Sequence, residues 1–311
     1  MKRIRSIIVL LLILSFVLVC LFEIRTVKAE STIYIQADGS VEGTDKIQQE
    51  GNVYTFTTDA VIDGDILVQR SNIVIDGNGH MLQNARLVIS GLSNITVENM
   101  YIKDDYYGTH GISVGISGID VKNSSSITII NNTVTGTTFN IDEAGIRIVG
   151  GNSNVIVGNT IAGNQKGLTV SNKIDFETFI PIEVLVYNNN FYNDFDVEFP
   201  ITGGSHIPNS TISFSNGTRG NFWYQYNGTD TDGDGIGDTP YVISTLPYFT
   251  DNNPLMEPYG NPIVEVPEFP SWIILPLFLM TSLVAIIVKQ RLSKHFIRTQ
   301  NGKHRFKKTL R

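Results

Sequence analysis

The sequence predicts an all-β solenoid, a single-stranded parallel β-helix, and three observations carry that prediction. A Gly-hydrophobic-x-hydrophobic phrase recurs as Gly111-Ile112-Ser113-Val114, Gly118-Ile119-Asp120-Val121, Gly145-Ile146-Arg147-Ile148 and Gly167-Leu168-Thr169-Val170. A hydrophobic-x-hydrophobic run ending in asparagine repeats too: Ser124 to Gly136 lies on Gly151 to Gly163 at a shift of 27, with Asn132 over Asn159. The pattern is made of period-two strands and turn residues, without helical spacing. One such coil cannot bury its apolar side alone, so coils stack and pair their strands in parallel at roughly 4.8 Å.

Looser copies extend the asparagine series to Asn78, Asn99, Asn132, Asn159 and Asn189, at intervals of 21, 33, 27 and 30 residues. Equivalent asparagines in stacked coils are expected to bond to one another as an amide ladder.

The ends do not belong to the coils. Residues 1–29 read as a signal peptide, with an uncleaved membrane anchor as the alternative: Lys2, Arg3 and Arg5, an apolar run from Ile7 to Phe22 that is long for a signal, then Val27-Lys28-Ala29 as a small-residue cleavage site. The single cysteine, Cys20, lies inside that run, so the exported part owes nothing to disulfides.

From Ser31 to Asp76, short β-branched and aromatic runs alternate with Gly and Asp clusters, as strands do with turns. Residues 30–257 form the predicted ectodomain, with a cap over about 30–60, coils over about 61–215 and an acidic closing loop over 216–257. The cap covers an open strand edge that would otherwise template aggregation.

Residues 258–270, with four prolines, read as a semi-rigid stalk. Residues 271–288 read as a transmembrane helix: Trp272 to Val288 is a run of 17 almost uniformly apolar residues. At about 1.5 Å of rise per residue that gives about 25 Å of helix. The tail 289–311 carries nine Lys or Arg, which places it in the cytoplasm and the ectodomain outside, in a single-pass arrangement.

The tail and signal leave nine bases against 29 acids for residues 30 to 270, a net charge of about −20. That balance excludes nucleic acid as a partner. Six N-x-Ser/Thr sequons occur, at Asn94, Asn123, Asn131, Asn209, Asn216 and Asn227, and the last three, outside the regular coils, are the expected glycan acceptors in an exported protein.

The sharpest local motif is Asp230-x-Asp232-x-Asp234-Gly235-x-x-Asp238. Carboxylates at alternate positions of a tight turn converge on one point, and hard oxygen ligands suit calcium. Tyr241 replaces the bidentate Glu of an EF-hand, and Pro240 blocks an exiting helix, so the run resembles the calcium loops of thrombospondin-type and dockerin-like repeats. The bland alternative is a solvated acidic turn.

For catalysis the candidates are Asp120, Arg147 and His110. The shift of 27 sets Asp120 beside Arg147 on the neighbouring coil, pointing outward if Ile146 and Ile148 point in. The two form either a base with its partner or a surface ion pair of small energetic weight. The phrase around His110, with Arg147-Ile148, resembles polygalacturonases. Thr109 and Val149 depart from that pattern, and no Asp pair stands a coil upstream to act as acid and water-activating base. For copper, His80, His110, His206, Met81, Met100 and Met256 are the exported soft or imidazole ligands, and they form no cluster with ligand spacing.

The Asn-rich coils, the opening DILVQRSNIVIDGNGHMLQN and the closing NFWYQYNGTDTDGDGIGDTPYVI with DNNPL resemble the NosD-like, carbohydrate-binding-type β-helix proteins of archaeal surfaces. The resemblance spans about residues 31 to 257 and implies a right-handed parallel β-helix. Its namesake assists copper loading of an enzyme, which the resemblance offers as an alternative role here. Pro267-Glu268-Phe269-Pro270, the apolar span and the basic tail resemble archaeal C-terminal sorting signals.

The resulting expectation is a membrane-anchored surface β-helix that binds or scaffolds polysaccharide or another cell-envelope polymer. A carbohydrate-active enzyme, lyase or glycosidase, on one face of the same solenoid is the alternative, and a pure spacer is a third. Solvent-facing aromatics discriminate in favour of sugar binding.

Overall fold

The computed structural model describes residues 32–103, 118–136, 144–172, 180–200, 210–245 and 248–260. By its contacts the chain divides into Met1–Pro262 and Ile263–Arg311, and the second unit lies wholly outside the described residues. The predicted signal peptide, transmembrane helix and basic tail, with His110 and His206, also lie outside them. Among the described residues no helix is long and apolar enough to cross a membrane.

Each coil contributes three short strands, and each strand pairs in parallel with its counterpart one coil on. Leu87 in Met81–Ser90, Ile119–Lys122, Ile146–Val149 and Lys166–Ser171 stack as one face. Ile73–Asp76, Ser93–Glu98, Ser125–Ile130, Gly151–Val157 and Ile182–Tyr187 stack as a second. Tyr101–Lys103, Thr133–Thr135, Thr160–Ala162, Asn190–Tyr192 and Phe222–Trp223 stack as a third. The architecture is therefore a parallel β-helix. The shift of 27 is literal, since Asp120 faces Arg147 and Thr133 faces Thr160.

The period-two alternation fills the interior with columns of like residues, because strand side chains point to alternate sides. On the first face Ile33, Ile66, Leu87, Ile119, Ile146 and Leu168 follow one another in register, all fully buried. On the third face Leu82, Ile102, Val134, Ile161, Phe191 and Trp223 do the same, the column widening to aromatic rings in the last coils. Phe191 and Trp223 stack at 4.5 Å with planes 7° apart. At about 25 cal/mol per Å² of apolar surface removed from water, these columns are the main source of stability.

The amide ladder exists, with a different membership from the sequence reading. Its rungs are Asn132, Asn159, Asn189 and Asn221, each Nδ2 donating to the next Oδ1 at 2.9–3.0 Å. The same Oδ1 atoms accept the backbone N–H of the preceding rung, and each Nδ2 also reaches a carbonyl one coil back. Asn78 and Asn99 are not rungs. Both sit in left-handed turns at φ of 51° and 52°, which asparagine tolerates because its amide bonds locally. The rung position before Asn132 holds Met100, whose backbone N–H donates to Asn132 Oδ1. A one-residue slip in the alignment thus exchanged a turn residue for an inward one.

The recurring glycine has a packing reason. A Cβ on Gly145 would lie 2.9 Å from Asn164 Nδ2 and 3.0 Å from the Gly167 carbonyl, and one on Gly167 would lie 2.5 Å from Asn193 Nδ2. Asn164 and Asn193 form a second, shorter ladder at this corner, Nδ2 to Oδ1 at 2.8 Å.

Both ends of the stack are closed by antiparallel pieces. Ile33–Ile35 pairs with Val41–Glu42, and Ile47–Glu50 with Val53–Phe56, over the predicted cap. At the other end Tyr241–Thr245 and Tyr248–Asp251 form a hairpin within the segment read as a closing loop. It presses Tyr241 on Trp223 (5.0 Å) and Phe249 on Phe199 (4.5 Å). The chain then turns back along the third face, where Tyr259 exchanges two hydrogen bonds with the Asn190 side chain.

Candidate functional site

Three places outside the core combine chemistry-bearing residues. On the first face, Ile119, Val121, Ile146 and Ile148 point inward and are fully buried, so alternation turns Asp120 and Arg147 outward. Arg147 Nη1 donates to Asp120 Oδ1 at 3.1 Å, and Lys122 Nζ lies 2.9 Å from Asp120 Oδ2. The cross-strand ion pair that the sequence allows is present, with its carboxylate buried and its cations part-exposed. Asp120 is 2% exposed, and one carboxylate holds two cations. Thr169 follows Arg147 in the same column, one coil on; it too is 2% exposed, and its hydroxyl has no hydrogen-bond partner. A buried polar group left without a partner is rare in folded proteins.

On the outside of the third face, at its last two coils, the rings of Tyr192, Phe222 and Tyr224 gather. Tyr192 lies 5.5 Å from Phe222 and 5.8 Å from Tyr224, with planes tilted by 44° and 43°. The inward Phe191 and Trp223 fix this arrangement, because their neighbours along each strand must then face out. Tyr224 is 71% exposed. Partial burial pushes the Tyr192 phenol up, and the Glu257 carboxylate nearby pushes it further. Sequence reasoning missed this patch; the visible signal is the aromatic spacing in NFWYQY, where every second ring belongs to the outer surface.

The third place is the acidic loop. Single carboxylate oxygens of Asp230, Asp232 and Asp234 all lie within 4.8 Å of one another. Asp230 also accepts the N–H groups of Gly233, Asp234 and Gly235, which wraps the loop around it. Asp238 is not with them. It accepts hydrogen bonds from Thr229 and Thr231, which hold its carboxyl below the ordinary range, the Thr231 hydroxyl contributing most.

Among the described residues the His80 ring meets Asp59, with Nδ1 3.3 Å from Oδ1, and Met100 is buried in the core. Among the described residues the Asp230 triad is the only group of three or more His, Cys, Asp or Glu placed to hold a metal. Its ligands are hard oxygens, whereas copper favours imidazole and sulfur.

The stacked faces, the inward ladder and the sealed ends define the class: a capped parallel β-helix. A family model described as "Periplasmic copper-binding protein (NosD)" matches residues 20–228, more than half of the chain, and the chain belongs to that family. No curated protein matches it. The metal in the family's description finds no fitting ligand set among the described residues.

Proposed function

We propose that this chain is an extracytoplasmic binding protein whose β-helix engages polysaccharide, or a polymer of the cell envelope with the same chemistry. The observation that carries the reading is the outward cluster of Tyr192, Phe222 and Tyr224. The flat C–H face of a pyranose stacks on exposed aromatic rings, and the Glu257 carboxylate beside Tyr192 supplies an acceptor for sugar hydroxyls. The family's periplasmic description supports a site of action outside the cytoplasm. Asp120 supports binding over catalysis, since a carboxylate held by both Lys122 and Arg147 is poorly placed to act as a base.

In the same reading, the apolar segment 271–288 anchors the β-helix to a membrane and the triad of Asp230, Asp232 and Asp234 holds a structural calcium ion. A glycan panel over the immobilised full-length protein tests the central part. Retention of at least one polysaccharide, lost with Tyr224→Ala, is the expected result. Retention of none overturns it.

A further inference from the structure

The first face brings charged and polar residues into one column. Val88, Asp120, Arg147, Thr169 and Glu198 occupy one outward column, one per coil, and a coil advances about 4.8 Å, comparable with the length of one sugar ring. Asp120 pairs with both Lys122 and Arg147, while Glu198, which follows Thr169 in the column, is paired with Lys166. Among the described residues Arg147 makes one side-chain hydrogen bond, through Nη1, and its side chain keeps 22% of its surface exposed. Lys122 keeps 42%. Directly across the ladder from Arg147 stands the partnerless hydroxyl of Thr169. Cations with spare donors beside an unsatisfied buried hydroxyl make an incomplete hydrogen-bond set, and a ligand oxyanion would complete it.

We infer that Lys122, Arg147 and Thr169 form a subsite for an oxyanion substituent of an acidic polysaccharide, with Asp120 as the positioning residue that holds the two cations side by side. The inference rests on the polysaccharide-binding reading and narrows it to a charged class of polymer. Guanidinium and carboxylate or sulfate ester match in planar, charge-assisted hydrogen bonds, and the threonine hydroxyl takes a remaining oxygen. No bond is made or broken.

The test compares polygalacturonate with the same polymer after reduction of its carboxyl groups, on immobilised full-length protein. Preference for the acidic form by at least tenfold is expected. Arg147→Ala and Thr169→Val should each remove most of that preference, whereas Tyr224→Ala weakens both polymers alike. Thr169→Val exchanges a partnerless hydroxyl for a methyl group, so its melting temperature should stay unchanged and its binding loss cannot come from unfolding. Competition by dextran sulfate assigns a sulfate ester and competition by free galacturonate a carboxylate; either supports the subsite. Equal retention of both polymers, or a preference untouched by both variants, overturns this inference and leaves polysaccharide binding standing. Retention of neither, nor of any other glycan, overturns both.

Discussion

Asn221 donates to a single oxygen of Asp251, Oδ2, through its backbone N–H at 2.6 Å and its side-chain Nδ2 at 3.3 Å. This contact ends the amide ladder. Every earlier rung both accepts from the coil before it and donates to the coil after it, and the last residue needs only to accept. A carboxylate has acceptors and no donor, and the same oxygen also takes the indole N–H of Trp223 at 2.9 Å. The shorter ladder closes alike, with Asn193 Nδ2 donating to Asp196 Oδ1 at 3.2 Å.

Replacing Asp251 by Ala should therefore be among the most damaging single changes. It strands the donors of Asn221 and Trp223 in a site that is fully buried. A loss of about 3 kcal/mol is expected, since each buried unsatisfied group costs about 1–3 kcal/mol. Equilibrium denaturation measures it, and a change below about 1 kcal/mol would contradict the role of Asp251 as terminator.

Burial also gives this carboxyl a pH signature. Desolvation raises the pKa of Asp251 above its ordinary value, against the opposing pull of its hydrogen bonds, and burial does the same to Asp196. A carboxyl whose pKa is higher folded than unfolded binds its proton more tightly in the folded state. Its contribution is fully present below the unfolded pKa and is lost as pH rises through the folded one. Unfolding free energy should accordingly rise on acidification from neutral towards the ordinary carboxylate range. Asp251→Asn should flatten that rise, and a slope identical to that of the unaltered protein would show that the carboxyl does not titrate in this window.

Gly151 tests the coil geometry. Its φ is +94°, and an added Cβ would lie 1.9 Å from the Ser124 carbonyl oxygen on the coil before. Gly151→Ala should destabilise the protein by more than about 2 kcal/mol, combining backbone strain with a backbone clash. Gly233→Ala meets open space at φ +74° and should cost about 1 kcal/mol from strain alone. Similar melting shifts for the two variants would argue against close stacking at Ser124.

For the acidic loop, calcium should raise the melting temperature of the protein and a chelator should lower it. Asp232→Asn should abolish both shifts, as it removes one of three converging carboxylates. Asp238→Asn should keep them, because Asp238 is engaged with Thr231. A melt indifferent to calcium and chelator would leave the loop a solvated turn.

The sequence made the coil legible because a 27-residue shift is local arithmetic: once Asn132 lies over Asn159, Asp120 must lie over Arg147. It misled at Asn99, where asparagine serves equally well as a left-handed turn residue and as an inward rung, and only register separates the two. The closing end was harder still. The last rungs are 32 and 30 residues apart, the final one is an aspartate, and Tyr241 and Phe249 reach Trp223 and Phe199 from far along the chain. The aromatic patch follows from that end, since Tyr192, Phe222 and Tyr224 become neighbours only when the last two coils stack.

The most direct test of the account is the affinity of the full-length protein for its best-retained polysaccharide, compared with that of Tyr192→Ala and Tyr224→Ala. Stacking of a nucleobase on an aromatic ring contributes about 1–3 kcal/mol, and a sugar face on Tyr192 or Tyr224 is expected to act on the same scale, so each variant should bind about tenfold or more weakly, with the melting temperature of the largely exposed Tyr224→Ala unchanged. Full affinity in both variants would contradict the placement of the sugar site on the outer third face.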